Sequence, residues 1–247
     1  MPEWRDEGMV LGVRAHGESH AVISVLTAEH GRHAGLVHAG QSRAKKAVLE
    51  LGNQLQLDWQ ARLAEQLGTF RVELLRNRAA LLLDNPMRLA ALGAVCGLLD
   101  AALPEREPQS ALFDSTNALM DILAFAEADQ DWLPFFVRWE WQLLATTGFA
   151  PDLSVCAVTG ARNGLAFISP RTGNAVTPAG AGPYKERLLA LPEMLGGAMP
   201  VENEIEAGLK ITAHFLGKHI FHPMDKDLPA PRLRLQDLAI AYLVGSR

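Results

Sequence analysis

The stretch Met9–Thr27 reads MVLGVRAHGESHAVISVLT, and the rest of the fold follows from it. Two extended apolar segments, Met9–Arg14 and His20–Thr27, lie on either side of the polar turn His16-Gly17-Glu18-Ser19. Short segments rich in Val, Ile and Leu, separated by polar turn residues, are typical of β-strands. The pattern therefore predicts two neighbouring strands near the N-terminus.

Three further segments continue the pattern. The turn signal Glu29-His30-Gly31 precedes a third strand, Ala34–His38. Leu55–Trp59 and Thr69–Leu74 alternate apolar and polar side chains, as strands with one buried face do. Five strands with turn residues between them, in too few residues for a β-sandwich, predict a closed five-stranded barrel of the OB type over residues 1–80. A barrel of this type offers a groove for single strands or oligonucleotides.

Composition and charge are those of an ordinary soluble protein. The 247 residues are 49% apolar and 21% charged, and the net charge of -5 does not indicate a nucleic-acid binder. The charge is unevenly distributed, because residues 1–80 hold ten Lys and Arg against nine Asp and Glu, whereas the remainder holds thirteen against nineteen. A polyanion would therefore prefer the N-terminal part or local patches elsewhere.

The two cysteines and the N-terminus bear on the compartment. Cys96 and Cys156 lie in different sequence contexts, which argues against a disulfide framework and fits a reducing compartment. The polar N-terminus lacks the apolar core of a signal peptide, and no apolar run approaches the roughly 18 residues of a spanning helix. We expect a cytoplasmic protein.

A helical pattern begins after the strands, so we expect a helical domain over residues 81–247. Asp84-Asn85-Pro86 is a helix start, and its helix runs to Pro104. A second helix begins near Ser110 and carries apolar residues as far as Ala126. A third runs from about Asp131 to Thr147, with Phe135 among its buried residues. Three helices with short links indicate a bundle.

Residues 150–182 interrupt the helical pattern with many Gly and Pro, and we interpret them as a small irregular insertion. Leu165–Ser169 is expected to form a short strand there. Helices are predicted to resume at Pro183–Leu191, Glu202–His219 and Leu235–Leu243.

Enzymatic motifs are missing from the sequence. It contains no phosphate loop, dinucleotide fingerprint, Gly-x-Ser-x-Gly elbow or His-Glu-x-x-His pair. The histidines of the first eighty residues are numerous, but strand geometry would scatter them over both barrel faces, so solvated or half-buried imidazoles are the better interpretation. We predict no catalytic residues, no metal and no cofactor.

Two basic segments are candidate binding sites. Arg43, Lys45 and Lys46 form the most basic short stretch and follow the third strand, where they could neutralise phosphates, with Arg14 and Arg32 extending the patch. The alternative is a solvated loop. Near the C-terminus, Lys210, His214 and Lys218 recur every four residues on one helical face. That face is either an ordinary solvent face or a docking site for an acidic peptide.

Several short motifs, in their order and spacing, resemble the RecO family of bacterial DNA repair proteins over essentially the whole chain. They are Gly17-Glu18-Ser19, Leu26-Thr27-Ala28-Glu29-His30-Gly31, Ala39-Gly40-Gln41-Ser42-Arg43, Thr147-Gly148-Phe149-Ala150-Pro151-Asp152-Leu153 with Cys156 and Gly160, and Ser169-Pro170-Arg171-Thr172-Gly173.

The resemblance implies an OB-fold at residues 1–80, a helical domain at 81–247 and a zinc-finger-like insertion at 150–182. It also implies a non-catalytic recombination mediator, nucleoid-associated during repair and monomeric on its own. Such proteins bind single- and double-stranded DNA, anneal complementary strands, and with RecR load RecA onto strands coated by single-stranded DNA-binding protein. They recognise the acidic tail of that coating protein, a role that would suit Lys210, His214 and Lys218.

One departure from the family concerns the insertion. Zinc-binding relatives carry two Cys-x-x-Cys pairs, whereas here the sequence reads Cys156-Ala157-Val158-Thr159 and Thr177-Pro178-Ala179-Gly180. One thiolate cannot close a tetrahedral structural site. We therefore expect the insertion to fold without metal, held by apolar packing of Leu153, Val155, Leu165, Phe167, Ile168 and Val176.

A competing hypothesis is a protein-interaction adaptor whose barrel binds a partner protein rather than nucleic acid. The negative net charge and the shortness of the basic stretch favour it.

Overall fold

The computed structural model describes residues 1–125 and 131–245. Its N-terminal part is a five-stranded sheet, as predicted. The strands are β1 (Glu3–His16), β2 (His20–Thr27), β3 (Gly31–Val37), β4 (Gln54–Gln60) and β5 (Thr69–Arg76). Their order is β1-β2-β3-β5-β4, and the sheet closes into a barrel because β1 also pairs with β4.

Strand β1 makes this closure possible because it serves two neighbours. Its N-terminal half, Glu3–Met9, pairs with β4, and the segment from Gly8 to His16 pairs with β2. A register irregularity between Val10 and Gly12 bends the strand between the two partners. On the opposite side of the barrel, β3 and β5 meet in parallel at Leu36 and Thr69, where the Leu36 amide donates to Gly68 at 3.0 Å.

The barrel interior is filled by apolar side chains and closed at one end by a short helix, α1 (Arg43–Val48), between β3 and β4. Leu49, which caps this helix, is part of the core, and Val48 packs against it. The core residues are Val10, Ala21, Ile23, Val25, Val37, Leu49, Leu55, Leu57, Trp59, Ala61 and Phe70.

Three helices follow the strands: α2 (Arg78–Leu82), α3 (Pro86–Ala102) and α4 (Ser110–Phe125). The Asn85 side chain accepts from the Arg88 amide at 3.0 Å, so the predicted helix start at Asn85-Pro86 is confirmed. The start at Ser110 is confirmed as well. Ala126, predicted to belong to this helix, lies outside the described residues.

The remaining elements are helical apart from three short strands, two of which lie in the insertion. The helices are α5 (Leu133–Thr146), α6 (Pro178–Ala181), α7 (Glu204–Leu216) and α8 (Ala230–Gly245), and Gly217–Phe221 continues α7 with π-helical bonding. The strands are β6 (Phe167–Ile168), β7 (Ala175–Val176) and β8 (Leu189–Ala190), in the order β7-β6-β8.

Two predictions in this part are wrong. Pro183–Leu191 is not an α-helix: Gly182–Arg187 forms a 3₁₀ helix, and the chain then becomes β8 because its backbone pairs with β6. Phe135 is exposed rather than buried, since its neighbours Phe136 and Trp139 occupy the buried face of α5.

Contacts divide the chain into two compact units. The first comprises the described residues up to Phe125 together with Pro229–Leu235, and the second comprises the described residues from Asp131 to Leu228 and from Gln236 onward. Helices α2 to α4 thus belong to the same compact unit as the barrel. The domain division at residue 80 stays a prediction.

Candidate nucleic-acid interface

The turn between β1 and β2 is joined to the segment that leads into α1. The Gln41 side chain donates to Gly17 O at 3.0 Å and to His20 O at 3.1 Å. The Gln41 amide also donates to Ser19 O at 3.0 Å. Two of the motifs quoted from the sequence therefore lie side by side, and Gln41, which was not predicted as a site residue, holds them together. The sequence feature that could have identified Gln41 was its position inside the motif Ala39-Gly40-Gln41-Ser42-Arg43.

The predicted basic loop is in fact helix α1. The Ser42 hydroxyl accepts from the Lys45 amide at 3.3 Å, which caps the helix. At its other end, the Asn53 side chain donates to Ala47 O and Val48 O at 3.1 and 3.2 Å. Together with the Gln41 bonds just ahead of its first turn, the Asn53 bonds fix the helix to the barrel at both ends, so its cations have a defined position.

The three cations of α1 are not equivalent. Lys45 is half-buried, and its ammonium donates to Val72 O on β5 at 3.2 Å, so it ties α1 to the sheet. Arg43 and Lys46 are exposed. Arg14 is also exposed, on β1 opposite Val22 and two residues before the turn that Gln41 holds. Arg14, Arg43 and Lys46 are the members of the predicted set that present free side-chain surface to solvent.

Arg32 lies in a different environment from these residues. Its Nε donates to Leu103 O at 2.8 Å, and its Nη1 lies 3.5 Å from Asp100 and 3.4 Å from Glu105. Its side chain is 17% exposed. Because its hydrogen bonds and counter-charges come from the last turn of α3 and the residues that follow it, Arg32 joins β3 to the end of α3.

The outer face of β1, β4 and β5 carries charges of both signs. Asp58 lies directly opposite Arg5 on one side and Arg71 on the other, with its carboxylate 3.6 Å from the Arg5 guanidinium. The next row of the same face presents Glu7 and Glu73 on either side of a glutamine. A phosphate chain would meet carboxylates here, so this face is less suited to polyanions than the surface around α1.

Aromatic side chains of the barrel lie in its interior. Trp59 and Phe70 are each 3% exposed, in agreement with their interpretation as core residues. Trp4 stacks on the His30 ring with centroids 4.1 Å apart, and His33 packs edge-on against Trp4 and Trp59. Burial, together with the charges of Arg106 and His30, lowers the pKa of His33 to about 4. These rings stabilise the barrel and leave no stacking platform on it among the residues named here.

The insertion brings its two degenerate Cys-x-x-Cys positions face to face. The Cys156 sulfur accepts from the amides of Thr159 and Thr177 at 3.4 and 3.3 Å and lies 3.5 Å from the Thr177 hydroxyl. The Gly180 amide donates to that hydroxyl at 3.2 Å. Burial raises the pKa of the Cys156 thiol, but the hydrogen bonds from Thr159 and Thr177 outweigh it and lower the pKa to about 6.

The residues of the second predicted patch, Lys210, His214 and Lys218, lie in two different environments. His214 Nε2 lies 2.8 Å from Pro170 O, and the Lys218 ammonium donates to the same oxygen at 2.9 Å. Both side chains therefore hold the Pro170 turn of the insertion against α7. Lys210 is exposed one turn earlier and lines a cavity of about 500 Å³ together with Lys185, Phe167, Val201 and Leu243.

Comparisons with known proteins identify the family. The model described as "Recombination protein O N terminal" matches residues 1–78, and the one described as "Recombination protein O C terminal" matches residues 83–228. The chain belongs to the recombination protein O family. The family is one of DNA repair and recombination, and this chain is a protein of that process.

Individual relatives are similar over nearly their whole length. A Rhodospirillum centenum protein described as "DNA repair protein RecO" is 50% identical over 238 residues, which are 95% of this chain and 94% of that protein. A Cereibacter sphaeroides protein with the same description is 50% identical over 240 residues, 96% of this chain and 98% of its own. For Rhodospirillum rubrum the identity is 45% over 239 residues, 95% of both chains.

The described residues contain neither a membrane-spanning helix nor a cluster of metal ligands. None of the helices in residues 1–125 and 131–245 has the length and apolar composition that crossing a bilayer requires. In the same ranges, His, Cys, Asp and Glu side chains form no group of three or more that could hold a metal ion.

Proposed function

We propose that this chain is a non-catalytic recombination mediator that binds single- and double-stranded DNA through the surface around α1. The observation that carries the proposal is the position of Arg43 and Lys46, exposed on a helix fixed to the barrel, beside the turn that follows Arg14. Fixed cations on a rigid support neutralise phosphates without reading sequence. Arg32 and Lys45, which the sequence placed in the same set, act by holding the fold.

The barrel supports an OB-type assignment. Its strand order is β1-β2-β3-β5-β4, and α1 connects β3 to β4 across one end. Closed five-stranded barrels of this type bind oligonucleotides through their surface strands and the loops beside them. The domain organisation that we propose is an OB-fold at residues 1–80 and a helical domain at 81–247, in keeping with the family matches at 1–78 and 83–228.

Strand annealing follows from phosphate neutralisation and needs no chemical step. Two complementary strands repel each other through their phosphates, and a protein that neutralises phosphates on both lowers that repulsion and lets base pairing proceed. We therefore propose that the chain has no catalytic residues. With RecR, the annealing surface would serve to load RecA onto strands coated by single-stranded DNA-binding protein, in the cytoplasm at the nucleoid.

The acidic tail of the coating protein has a candidate site in the second compact unit. The cavity is lined by two cations, Lys185 and Lys210, by apolar residues that include Phe167 and Leu243, and by the carboxylates of Glu186, Glu202 and Glu206. Its apolar residues would accept the apolar end of the peptide, and Lys185 and Lys210 are the groups that would pair with the peptide's carboxylates. Lys210 would contact the tail directly, whereas His214 and Lys218 hold the adjoining insertion.

The insertion at 150–182 would be a zinc-finger-like module that folds without metal. The Cys156 sulfur is surrounded by amide and hydroxyl donors of Thr159 and Thr177, which are hydrogen-bond donors rather than zinc ligands. Leu165, Phe167, Ile168 and Val176, predicted to hold the module, are buried, and Leu153 and Val155 are half-buried.

The protein-interaction adaptor has an observation in its favour as a second candidate. An apolar cavity of about 690 Å³ lies between β1, α1 and α3 and is lined by Val13, Leu51, Leu83 and Leu89, all partly exposed, and also by Lys46 of the proposed DNA surface. The double variant Leu83→Ser, Leu89→Ser should weaken the binding of a protein partner such as RecR and leave the affinity for DNA unchanged. Loss of DNA affinity in this variant would count against a separate adaptor surface.

The test of the main proposal is binding of the full-length chain to an unlabelled single strand and to a duplex across a salt series. Replacing Arg14, Arg43 and Lys46 by Ala should weaken binding at least tenfold and reduce the salt slope for single strands by about 2. The matched control replaces Arg5, Arg62 and Arg71, which changes the charge equally elsewhere on the barrel. Equal losses in both variants would show that net charge, not the α1 surface, determines binding.

A further inference from the structure

The proposed function leaves open what contacts the bases of a bound single strand. Proteins that bind single strands without sequence preference add aromatic side chains, on which bases stack, to their basic grooves. The barrel aromatics Trp59 and Phe70 are buried in the core and cannot offer a ring face to a base. Trp4 is half-buried and is stacked on His30, so a freely exposed ring has to come from elsewhere in the chain.

Tyr184 has the exposure that such a contact requires. It lies in the 3₁₀ helix Gly182–Arg187, and 62% of its surface is exposed. The backbone on both sides of it is fixed. Gly182, with φ of 48°, ends α6, and on the other side β8 pairs with β6. The ring is therefore presented from a defined position, which lowers the entropic cost of stacking a base on it.

A cation lies over the same ring. The Arg187 guanidinium is 5.9 Å from the Tyr184 ring centroid. Lys185 and Lys218 also lie over rings, those of Phe167 and Phe215, but both of these rings are buried. At Tyr184 an exposed ring and an exposed guanidinium thus occur together, which is the combination of stacking surface and phosphate-binding charge used on single strands.

The local charge is positive although the chain is acidic. Residues 150–190 contain four Lys and Arg, namely Arg162, Arg171, Lys185 and Arg187, against Asp152 and Glu186. Glu186 lines the neighbouring cavity together with Glu206 and Lys210. Residues 150–190 thus carry a formal charge of +2, four cations minus two carboxylates, which favours a phosphate chain although the net charge of the whole chain is -5.

We propose that Tyr184 and Arg187 form a second nucleic-acid contact, in which a base of a single strand stacks on the tyrosine ring and the arginine binds the adjoining phosphate. The contact lies in the second compact unit, whereas α1 belongs to the first. It rests on the proposed function, because it concerns the same ligand. The ligand class is single-stranded nucleic acid with unpaired, accessible bases, and a duplex, whose bases are stacked internally, would not use it.

The experiment compares two strands of equal length and charge, one of thymidines and one of abasic sugar–phosphate, with full-length wild type, Tyr184→Ala and Tyr184→Phe. Stacking on Tyr184 predicts that Tyr184→Ala weakens binding to the thymidine strand about tenfold, leaves the abasic strand unaffected, and is rescued in Tyr184→Phe. Tyr242→Ala is the matched control, since Tyr242 is 57% exposed and has no Lys or Arg within four positions in the sequence.

A second measurement locates the contact in the wild-type chain. Strands containing bromodeoxyuridine should crosslink to the Gly182–Arg187 segment under ultraviolet light, and peptide mapping should place the crosslink at Tyr184. Equal effects of Tyr184→Ala on both strands, or crosslinks confined to residues 1–80, would overturn the Tyr184 contact and leave the α1 surface standing. Failure of the wild type to bind either strand would overturn both proposals.

Discussion

Arg78 and Asp121 join the start of α2 to α4 through an ion pair in which the guanidinium is almost completely buried. Arg78 Nη2 lies 2.8 Å from Asp121 Oδ1, its Nε lies 3.2 Å from the same oxygen, and its Nη1 donates to Asn117 at 2.8 Å. The Arg78 side chain is 2% exposed. Arg76 approaches the same carboxylate from the surface, at 3.2 Å. One carboxylate thus compensates a buried charge and binds an exposed one.

Replacing Asp121 should therefore be costly. Asp121→Ala leaves the Arg78 guanidinium without its counter-charge, and we expect the free energy of unfolding to fall by about 3 kcal/mol. Arg76→Ala, which removes an exposed partner, should cost about 0.5 kcal/mol. Urea unfolding of the two variants measures the difference. Similar losses in both would mean that the buried charge is solvated in some other way.

Lowering the pH should destabilise the barrel through His33. Its pKa is lowered from the 6.5 of an ordinary histidine to about 4 in the folded chain, so the unfolded chain binds the proton first as the pH falls. The stability that neutral His33 contributes to the free energy of unfolding is present above pH 6.5 and is lost as the pH falls towards 4. The loss is about 2 kcal/mol between pH 7 and pH 5. His33→Leu should reduce the pH dependence of the unfolding free energy by that amount. The pKa of His219 is also lowered, so His219 adds to the acid destabilisation of the wild type and of the His33→Leu variant alike.

The exposed His16 provides the control for this measurement. His16→Leu removes an exposed imidazole and is compared with His33→Leu over the same pH range. At pH 7.5, His33→Leu should be as stable as the wild type or more stable, because neither ring nitrogen of His33 has a hydrogen-bond partner to lose. An unchanged pH 7 to pH 5 difference in His33→Leu would show that other groups govern acid sensitivity.

Two turn glycines should respond very differently to alanine. Both have left-handed backbones, with φ of 64° at Gly31 and 59° at Gly17. A Cβ at Gly31 would also overlap the backbone of Glu107, whereas at Gly17 it would meet no atom within 4 Å. Gly17→Ala should therefore cost about 1 kcal/mol of backbone strain, and Gly31→Ala should cost at least about 3 kcal/mol. Thermal unfolding of the pair separates strain from steric overlap.

The insertion should contain no zinc but should accept it after three substitutions. A Cβ at Gly180 would lie 3.0 Å from the Cys156 sulfur, and the Thr177 hydroxyl is 3.5 Å from it. Thr159→Cys, Thr177→Cys and Gly180→Cys together place four thiols around one point, so this variant should bind one zinc per chain, measured by elemental analysis. Stoichiometric zinc in the wild type, purified without added metal, would contradict the metal-free module.

Strands were predictable from the sequence where their inward residues are apolar, and the first half of β1 is a segment where they are not. The first half of β1 was not predicted, since its inward positions are Trp4, Asp6 and Gly8 rather than a run of apolar residues. Asp6 is tolerated there because its carboxylate accepts from the Glu29 amide at 3.0 Å and binds the His30 ring at 3.0 Å. These partners lie more than twenty residues away, and hydrophobic periodicity cannot reveal them.

The candidate site was predictable in its residue types but not in its geometry. Ser42 ahead of Arg43 is a helix-capping signal, so α1 could have been recognised in the basic stretch. The environments of Arg32 and Lys218 could not, because both side chains bind carbonyl oxygens of distant segments, Leu103 and Pro170. Helical spacing places a side chain on a face of a helix and does not show what packs against that face.

The parallel seam at Leu36 and Thr69 has a consequence for how the barrel exchanges its amide protons with solvent. β1 and β2 protect each other along eight paired positions, whereas β3 and β5 are joined at one pair in the described residues. Native-state hydrogen exchange proceeds through the least costly local opening. The Leu36 amide should therefore take up deuterium well before the amides of Val22 and Val25, so that the molecule opens first between its third and fifth strands.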